Sequence, residues 1–134
     1  MSSPFRHPLR VRYHECDPQG VVFNANYFAY FDIAITELWR EAFGGWETAM
    51  EDGHDIVVAA AACRYLAPLR FDEEVEIVVT VANLGETSMT TSFTVERSGD
   101  AVAEGELRHV FVDESTREKQ TIPDTIRHGL ANYT

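Results

Sequence analysis

Hydrophobic and polar residues alternate with two different periods along the chain. Residues 8–15 alternate with a period of two, because Leu9, Val11 and Tyr13 are apolar and charged or polar residues lie between them. This period predicts a strand. The next segment, Asp-Pro-Gln-Gly at 17–20, has the composition of a turn, since proline fixes φ and glycine tolerates positive φ. We therefore expect a strand followed by a tight turn.

Apolar residues then recur at spacings of three and four, which predicts an amphipathic helix of about 18 residues. Asn24 is the expected N-cap, with Asn26 as the alternative, and Gly44–Gly45 ends the helix. Its apolar face comprises Tyr27, Tyr30, Phe31, Ala34, Ile35, Leu38, Trp39 and Ala42. A face this wide has to be covered by another part of the protein.

Most of the remaining chain is predicted to form strands. Residues 56–66 are a mostly apolar run, which is typical of a buried central strand. Short turns separate three further strand segments, at 74–81, 87–97 and 101–113. Consecutive strands with short turns predict an antiparallel meander. Short helices are expected at 46–52 and 123–133.

This order of elements predicts an α+β fold in which an antiparallel sheet of about five strands wraps around one long central helix. That arrangement is the hotdog fold. With 134 residues the chain is too short for two ordinary domains, so we expect one domain over residues 1–134. A sheet of this kind leaves an edge strand exposed, which suits pairing with a second copy.

The composition narrows the possible partners. The net charge is −11 and no basic stripe is present, which argues against a nucleic-acid or anionic-membrane partner. An anionic ligand remains possible if a few arginines gather locally. Cys16 and Cys63 fit no metal-binding spacing, the N-terminus has no apolar signal core, and the longest apolar run is far short of a membrane span. We expect a cytoplasmic protein without metal or cofactor.

Residues 13–27, YHECDPQGVVFNANY, carry the chemistry that the sequence suggests. Asp17 lies on the turn just before the predicted helix, whose first N–H groups are unpaired and carry a partial positive charge. Such groups stabilise an oxyanion, and a nearby carboxylate can attack a carbonyl carbon or orient a water molecule. Together they can perform acyl transfer. Because Asp-Pro-x-Gly is also a common turn, a turn-capping role for Asp17 is the alternative.

The pattern D-P-x-G-x-V-x-x-x-N-Y resembles the 4-hydroxybenzoyl-CoA thioesterase family. Its residues here are Asp17, Pro18, Gly20, Val22, Asn26 and Tyr27. A second, weaker resemblance lies in Tyr65–Leu69 followed by Asp72–Glu73, which is similar to the family's central strand and turn. The resemblance covers residues 7–113. It implies a hotdog enzyme that hydrolyses an aromatic or medium-chain acyl-CoA to a free acid and CoA, as a homodimer or homotetramer.

The resemblance also implies roles for single residues. Asp17 matches the catalytic carboxylate, as nucleophile or as general base, and the backbone N–H of Asn24 would hold the thioester oxygen. Gly20 lets the turn approach the substrate, and Tyr27 lines the acyl pocket, supports Asp17 or belongs to the core. Several family members have a histidine shortly after the turn, but residues 23–25 are Phe-Asn-Ala here. Activation by histidine is therefore not predicted.

The CoA nucleotide needs cations, and few specific residues can be assigned to it. We expect Arg64, Arg70 and Arg97 as candidates, with Ser88 for the pantetheine arm. Two other functions stay open. One is hydrolysis of an acyl-carrier-protein thioester in a biosynthetic pathway, although an acidic carrier would prefer a basic docking patch. The other is a non-catalytic hotdog protein that binds acyl-CoA, against which the presence of Asp17 argues.

Overall fold

A computed structural model describes residues 2–134, in which five strands form one antiparallel sheet. The strands are β1 (Phe5–Arg10), β2 (His54–Tyr65), β3 (Glu74–Leu84), β4 (Ser88–Arg97) and β5 (Asp100–Asp113). Their order across the sheet is β1-β3-β4-β5-β2. The meander predicted from the three later segments is confirmed as β3, β4 and β5, which pair with their neighbours in sequence.

One helix, α1 (Asn26–Phe43, 18 residues), lies against this sheet. Seven of the eight residues predicted for its apolar face are buried, and Ala42 is half-buried. The helix ends at Gly44, whose φ of 81° is a left-handed conformation that glycine adopts readily. Two short helices, α2 (Trp46–Ala49) and α3 (Asp124–Leu130), complete the fold. None of the helices within residues 2–134 is long and apolar enough to cross a membrane.

The close approach of helix and sheet depends on a glycine in β5. The ring of Phe31 on α1 stacks on Phe93 of β4, with centroids 4.6 Å apart. A Cβ atom on Gly105 would lie 2.4 Å from the Phe31 ring and 2.8 Å from the carbonyl oxygen of Ala62. Glycine therefore lets the aromatic ring sit directly on the sheet, which fixes α1 relative to the strands and produces the predicted hotdog arrangement.

The first strand differs from the prediction at both ends. It begins at Phe5 and ends at Arg10, and Tyr13–Glu15 forms a 3-10 turn instead of extended backbone. The turn closes because the N–H of Glu15 donates to the carbonyl of Arg12, and the Glu15 carboxylate accepts the Arg12 N–H at 2.7 Å. Period-two alternation cannot detect such a local hydrogen bond, and Tyr13 is in fact 78% exposed.

The prediction that Asn24 caps α1 with its side chain is wrong. The residue before the helix is Ala25, and no side chain accepts a hydrogen bond there. Asn26, the alternative cap, is already the first helical residue, and its side-chain amide donates to the carbonyl of Glu15 at 2.8 Å. The helix N-terminus is thus tied to the preceding 3-10 turn and not capped by its own asparagines.

The prediction of a buried central strand at 56–66 is also wrong. The strand β2 lies at the edge of the sheet and pairs only with β5 within the residues described. Ala59, Ala60, Ala61 and Ala62 are all exposed. Because consecutive side chains of a strand point to opposite faces, neither face of this stretch is covered. The composition of an apolar strand does not show whether its own chain or a second chain buries it.

Candidate active site

A groove of about 350 Å³ lies between the loop that leads into α1 and the segment that follows β2. We refer to it as the Asp17 groove. Its lining residues are Asp17, Gln19, Val21, Val22, Asn24, Tyr27, Tyr65, Leu66, Ala67 and Pro68. Three of the residues predicted for the site (Asp17, Asn24 and Tyr27) are therefore brought together in one concave surface.

Backbone hydrogen bonds hold the two walls of the groove together. The N–H of Val22 donates to the carbonyl of Leu69 at 2.8 Å, and Val21 forms an antiparallel bridge with Arg70. On the other side, the N–H of Phe23 donates to the carbonyl of Glu15 at 2.9 Å. The loop that carries Asp17 is thus fixed at its end and not free to swing.

The half-buried side chain of Asp17 is part of the turn that carries it. Its Oδ1 accepts the main-chain N–H of Gln19 at 2.8 Å, and its carbonyl accepts the N–H of Gly20 at 2.9 Å. Gly20 has φ of 81°, which closes the turn without side-chain strain. The other carboxylate oxygen receives no hydrogen bond from residues 2–134. One oxygen therefore orients the carboxylate, and one is available to a ligand in the groove.

The N-terminal end of α1 reaches the same groove with unpaired donors. The N–H groups of Asn26, Tyr27 and Phe28 donate to the carbonyls of residues 23, 24 and 25. The N–H groups of Asn24 and Ala25 donate to no atom of the part of the chain that the structure describes. Unpaired N–H groups at a helix N-terminus favour negative charge. A carboxylate and an anion-stabilising helix end consequently share one groove.

Two tyrosines form the floor and side of the groove next to this helix end. Tyr27 is buried, and burial together with the neighbouring Cys63 and Tyr65 raises its pKa to about 12. Tyr65 packs edge-on against Tyr27, with ring centroids 5.0 Å apart, and its hydroxyl donates to the carbonyl of Asn24 at 2.8 Å. Tyr65 is not among the predicted site residues, although it begins the second family-like segment.

Below the groove, Glu15 joins the 3-10 turn to the helix. Its carboxylate accepts a hydrogen bond from the Tyr30 hydroxyl at 2.8 Å, and its carbonyl accepts the Asn26 amide. Burial, followed by the adjacent Glu15, raises the pKa of Tyr30 far above its usual range. The sequence alone does not predict the contact between Tyr30 and Glu15, because Tyr30 fits the apolar face of the helix without a polar partner.

The predicted CoA-binding arginines are dispersed around the groove. Arg70 is exposed, and its guanidinium lies 4.0 Å from where a Gly20 Cβ would be, beside the Asp17 turn. Arg97 donates to the carbonyl of Pro68 at 2.8 Å and to Glu73 at 3.0 Å, so it braces the groove wall. Arg64 is exposed and lies 3.7 Å from Glu104. Arg70 therefore lies beside the Asp17 turn, whereas Arg97 is already engaged in structural contacts and Arg64 is paired with Glu104.

Ser88 does not join this group. It begins β4 and accepts a 3.4 Å hydrogen bond from Arg108, whereas Arg97 ends the same strand near the groove. The rise of about 3.3 Å per residue separates the two ends of β4 by roughly 30 Å. Within residues 2–134 no group of three or more His, Cys, Asp or Glu side chains could hold a metal ion.

Two hydrolases of CoA thioesters are similar to this chain in sequence. The chain is 31% identical over 123 residues to the acyl-CoA thioester hydrolase YbgC of Escherichia coli O6:H1, which covers 91% of this chain and 92% of that protein. It is 24% identical over 132 residues to the 1,4-dihydroxy-2-naphthoyl-CoA hydrolase of Prochlorococcus marinus, covering 90% of this chain and 83% of that one.

The fold has solved counterparts as well. A crystal structure of a hypothetical protein from Aquifex aeolicus superimposes with a TM-score of 0.89 at 30% identity, covering 95% of this chain and 99% of that one. The family model described as the thioesterase-like superfamily matches residues 11–130, which include every residue of the Asp17 groove. By its sequence and its fold, the chain belongs to the thioesterase-like superfamily.

Proposed function

We propose that this protein is a thioester hydrolase that cleaves acyl-CoA into a free acid and CoA. The observation that carries the proposal is that Asp17 and the unpaired N–H groups at the start of α1 line or border one groove. The acyl-CoA thioester hydrolase activity for which the relative YbgC is named agrees with this proposal. A carboxylate and backbone N–H donors are sufficient for thioester hydrolysis, so the proposed reaction requires no metal and no cofactor.

Asp17 would act through its unpaired carboxylate oxygen. In one route this oxygen attacks the thioester carbon, the C–S bond breaks, CoA leaves as a thiolate, and water hydrolyses the resulting anhydride. In the other route the carboxylate takes a proton from a water molecule, whose oxygen attacks the thioester carbon; the C–S bond then breaks, and the proton passes to the departing thiolate of CoA or to solvent. Both routes pass through a tetrahedral oxyanion, and both need a carboxylate that its turn holds in place.

The oxyanion would be stabilised at the helix N-terminus. Asn24 and Ala25 offer main-chain N–H groups that no atom of residues 2–134 occupies. A donor of this type typically accelerates acyl transfer by a factor of about 10² to 10³. The backbone, and not the Asn24 side chain, supplies this donor.

The CoA moiety would lie along the exposed side of the Asp17 turn, where Arg70 is located. The guanidinium of Arg70 has no carboxylate partner within the described residues, so it can bind a phosphate of CoA. Arg64 is a second candidate, because its 3.7 Å contact with Glu104 is exposed and weak. We do not assign the pantetheine arm to Ser88, because it lies at the opposite end of β4 from Arg97. We do not assign the nucleotide to Arg97, because it is bonded to Pro68 and Glu73.

The enzyme would be a homo-oligomer in which β2 strands of two copies pair at their edges. The exposed Ala59–Ala62 stretch supports this, since a long apolar edge strand is normally covered. Tyr65 ends β2 and also lines the Asp17 groove, so pairing along β2 would bring a second copy next to that groove. We expect one domain over residues 1–134 and a cytoplasmic location.

Thiol release from a panel of thioesters tests the proposed activity. The panel holds aliphatic acyl-CoA esters of increasing length, aromatic acyl-CoA esters, and the same acyl groups on an acyl carrier protein. We expect release of free CoA from at least one class of acyl-CoA. Faster cleavage of carrier-bound esters would favour the biosynthetic alternative, and no cleavage of any ester would refute hydrolysis and leave acyl-CoA binding.

A further inference from the structure

If the start of α1 stabilises an oxyanion, its first N–H groups must be held in place and yet stay unpaired. Helix N-termini are normally held by a side chain that accepts the first N–H groups. Such a cap would occupy the donors that the reaction needs. In this protein no side chain caps α1, and the N–H groups of Asn24 and Ala25 stay unpaired within residues 2–134. The segment must therefore be fixed in another way.

Tyr65 fixes it from the acceptor side. Its hydroxyl donates to the carbonyl of Asn24 at 2.8 Å, while the helical N–H of Tyr27 reaches the same oxygen at only 3.4 Å. The carbonyl of Asn24 belongs to the same peptide group as the N–H of Ala25. Anchoring the carbonyl thus orients this peptide plane and leaves its donor free.

The position of the Tyr65 ring is itself well defined. Its backbone is the last residue of β2, and its ring meets Tyr27 edge-on at an interplanar angle of 81°. Partial burial, and then Cys63, raise the pKa of Tyr65, so the phenol remains a hydrogen-bond donor at neutral pH. The residue nevertheless stays 47% exposed, so it contributes little to the hydrophobic core.

We propose that Tyr65 is a positioning residue, whose hydroxyl holds the Asn24–Ala25 peptide so that the N–H group of Ala25 at the helix end stays oriented toward the oxyanion during acyl transfer. This inference rests on the proposed hydrolysis. Tyr65 itself does not contact the reacting atoms. Its hydroxyl stabilises the transition state and does not contribute to substrate binding.

The test is Tyr65→Phe, which removes the hydroxyl and keeps the ring. We expect kcat to fall by roughly 10- to 100-fold, because loss of orientation at a reacting centre has effects of this size. KM should stay within about twofold, since an interaction made only in the transition state does not alter KM. The melting temperature should not change, because the hydroxyl lies at the surface.

Tyr133→Phe is the matched control. Tyr133 also donates a hydrogen bond from its hydroxyl, to Glu41 at 2.6 Å, but it lies at the opposite end of α1 from the groove. This variant should keep wild-type kcat and KM. If both variants lose activity in proportion to a lower melting temperature, the effect is structural and the inference is wrong.

The remaining outcomes separate this inference from the proposed function. Unchanged kcat in Tyr65→Phe, or a raised KM with unchanged kcat, would overturn the positioning role while hydrolysis by the wild type still stands. If the wild-type protein cleaves no thioester at all, the proposed function itself fails, and the inference fails with it.

Discussion

The main-chain N–H of Gln19 donates a 2.8 Å hydrogen bond to Oδ1 of Asp17. This contact makes Asp17 the turn-capping residue that its Asp-Pro-x-Gly sequence suggests, and it also orients the carboxylate in the groove. The two interpretations of Asp17 are therefore compatible. A turn that consumes one carboxylate oxygen can hold the other ready for catalysis.

The packing of α1 on the sheet predicts a sensitive position at Gly105. In Gly105→Ala the new methyl group would lie 2.4 Å from the Phe31 ring, so either the ring or β2 must move. Overpacking of this kind costs about 1–3 kcal/mol. Urea unfolding should show this loss of stability. The exposed neighbour Glu106→Ala serves as control, and equal stability of the two variants would contradict the account of how the helix is seated.

The buried His109 predicts a dependence of stability on pH. Burial lowers its pKa from 6.5 to about 4 in the folded protein. Between these values the unfolded chain binds a proton that the folded chain does not, so stability is fully present above pH 6.5 and falls as pH drops toward 4. At about 1.4 kcal/mol per pKa unit, the full loss of stability is roughly 3 to 4 kcal/mol.

Urea unfolding at several pH values from 7 to 4.5 measures the free energy of unfolding as a function of pH. Carboxylates also contribute to this pH dependence, so a variant without His109 is needed for comparison. We expect His109→Phe to lose less stability over this range than the wild-type protein, because Phe does not titrate. Parallel pH profiles for the two proteins would show that His109 does not contribute the difference.

The exposed edge of β2 predicts that two copies of the protein pair along this strand, and that a charged side chain on the strand prevents the pairing. Lysine on an edge strand disfavours pairing with a second chain. Ala60→Lys, and separately Ala61→Lys, should shift the protein from an oligomer to a monomer in analytical ultracentrifugation. The control is Ala82→Lys, an exposed alanine of β3 that should leave the oligomeric state unchanged. A wild-type protein that is monomeric at all concentrations would refute edge pairing.

The sequence predicted those parts of the fold that depend on local periodicity. The apolar face of α1 and the meander β3–β5 follow directly from spacings of three to four and of two. The edge position of β2 could not be predicted, because its alanine-rich run has the composition of a buried strand. Burial depends on what lies next to the strand, and periodicity contains no information about that neighbour.

The site was predictable to the same extent. Asp17, Asn24 and Tyr27 were predicted through the resemblance to a known family, whose pattern lies in one short stretch of sequence around a turn and a helix start. Tyr65 was not, since its hydroxyl meets Asn24 across 41 residues of chain. Ser88 was placed at the site by its residue type, but pairing in the sheet puts it at the opposite end of β4 from Arg97.

The most direct test of the central claim is the rate of thiol release by Asp17→Asn. Asparagine can still accept the Gln19 N–H, so the turn is preserved and only the negative charge is lost. The control is Asp113→Asn, because Asp113 also accepts main-chain N–H groups in a turn, from Ser115 and Thr116 at 2.8 Å each, and lies outside the groove. We expect kcat to fall by roughly 100- to 10,000-fold in Asp17→Asn and to stay at the wild-type value in Asp113→Asn. Wild-type turnover in Asp17→Asn would contradict the account.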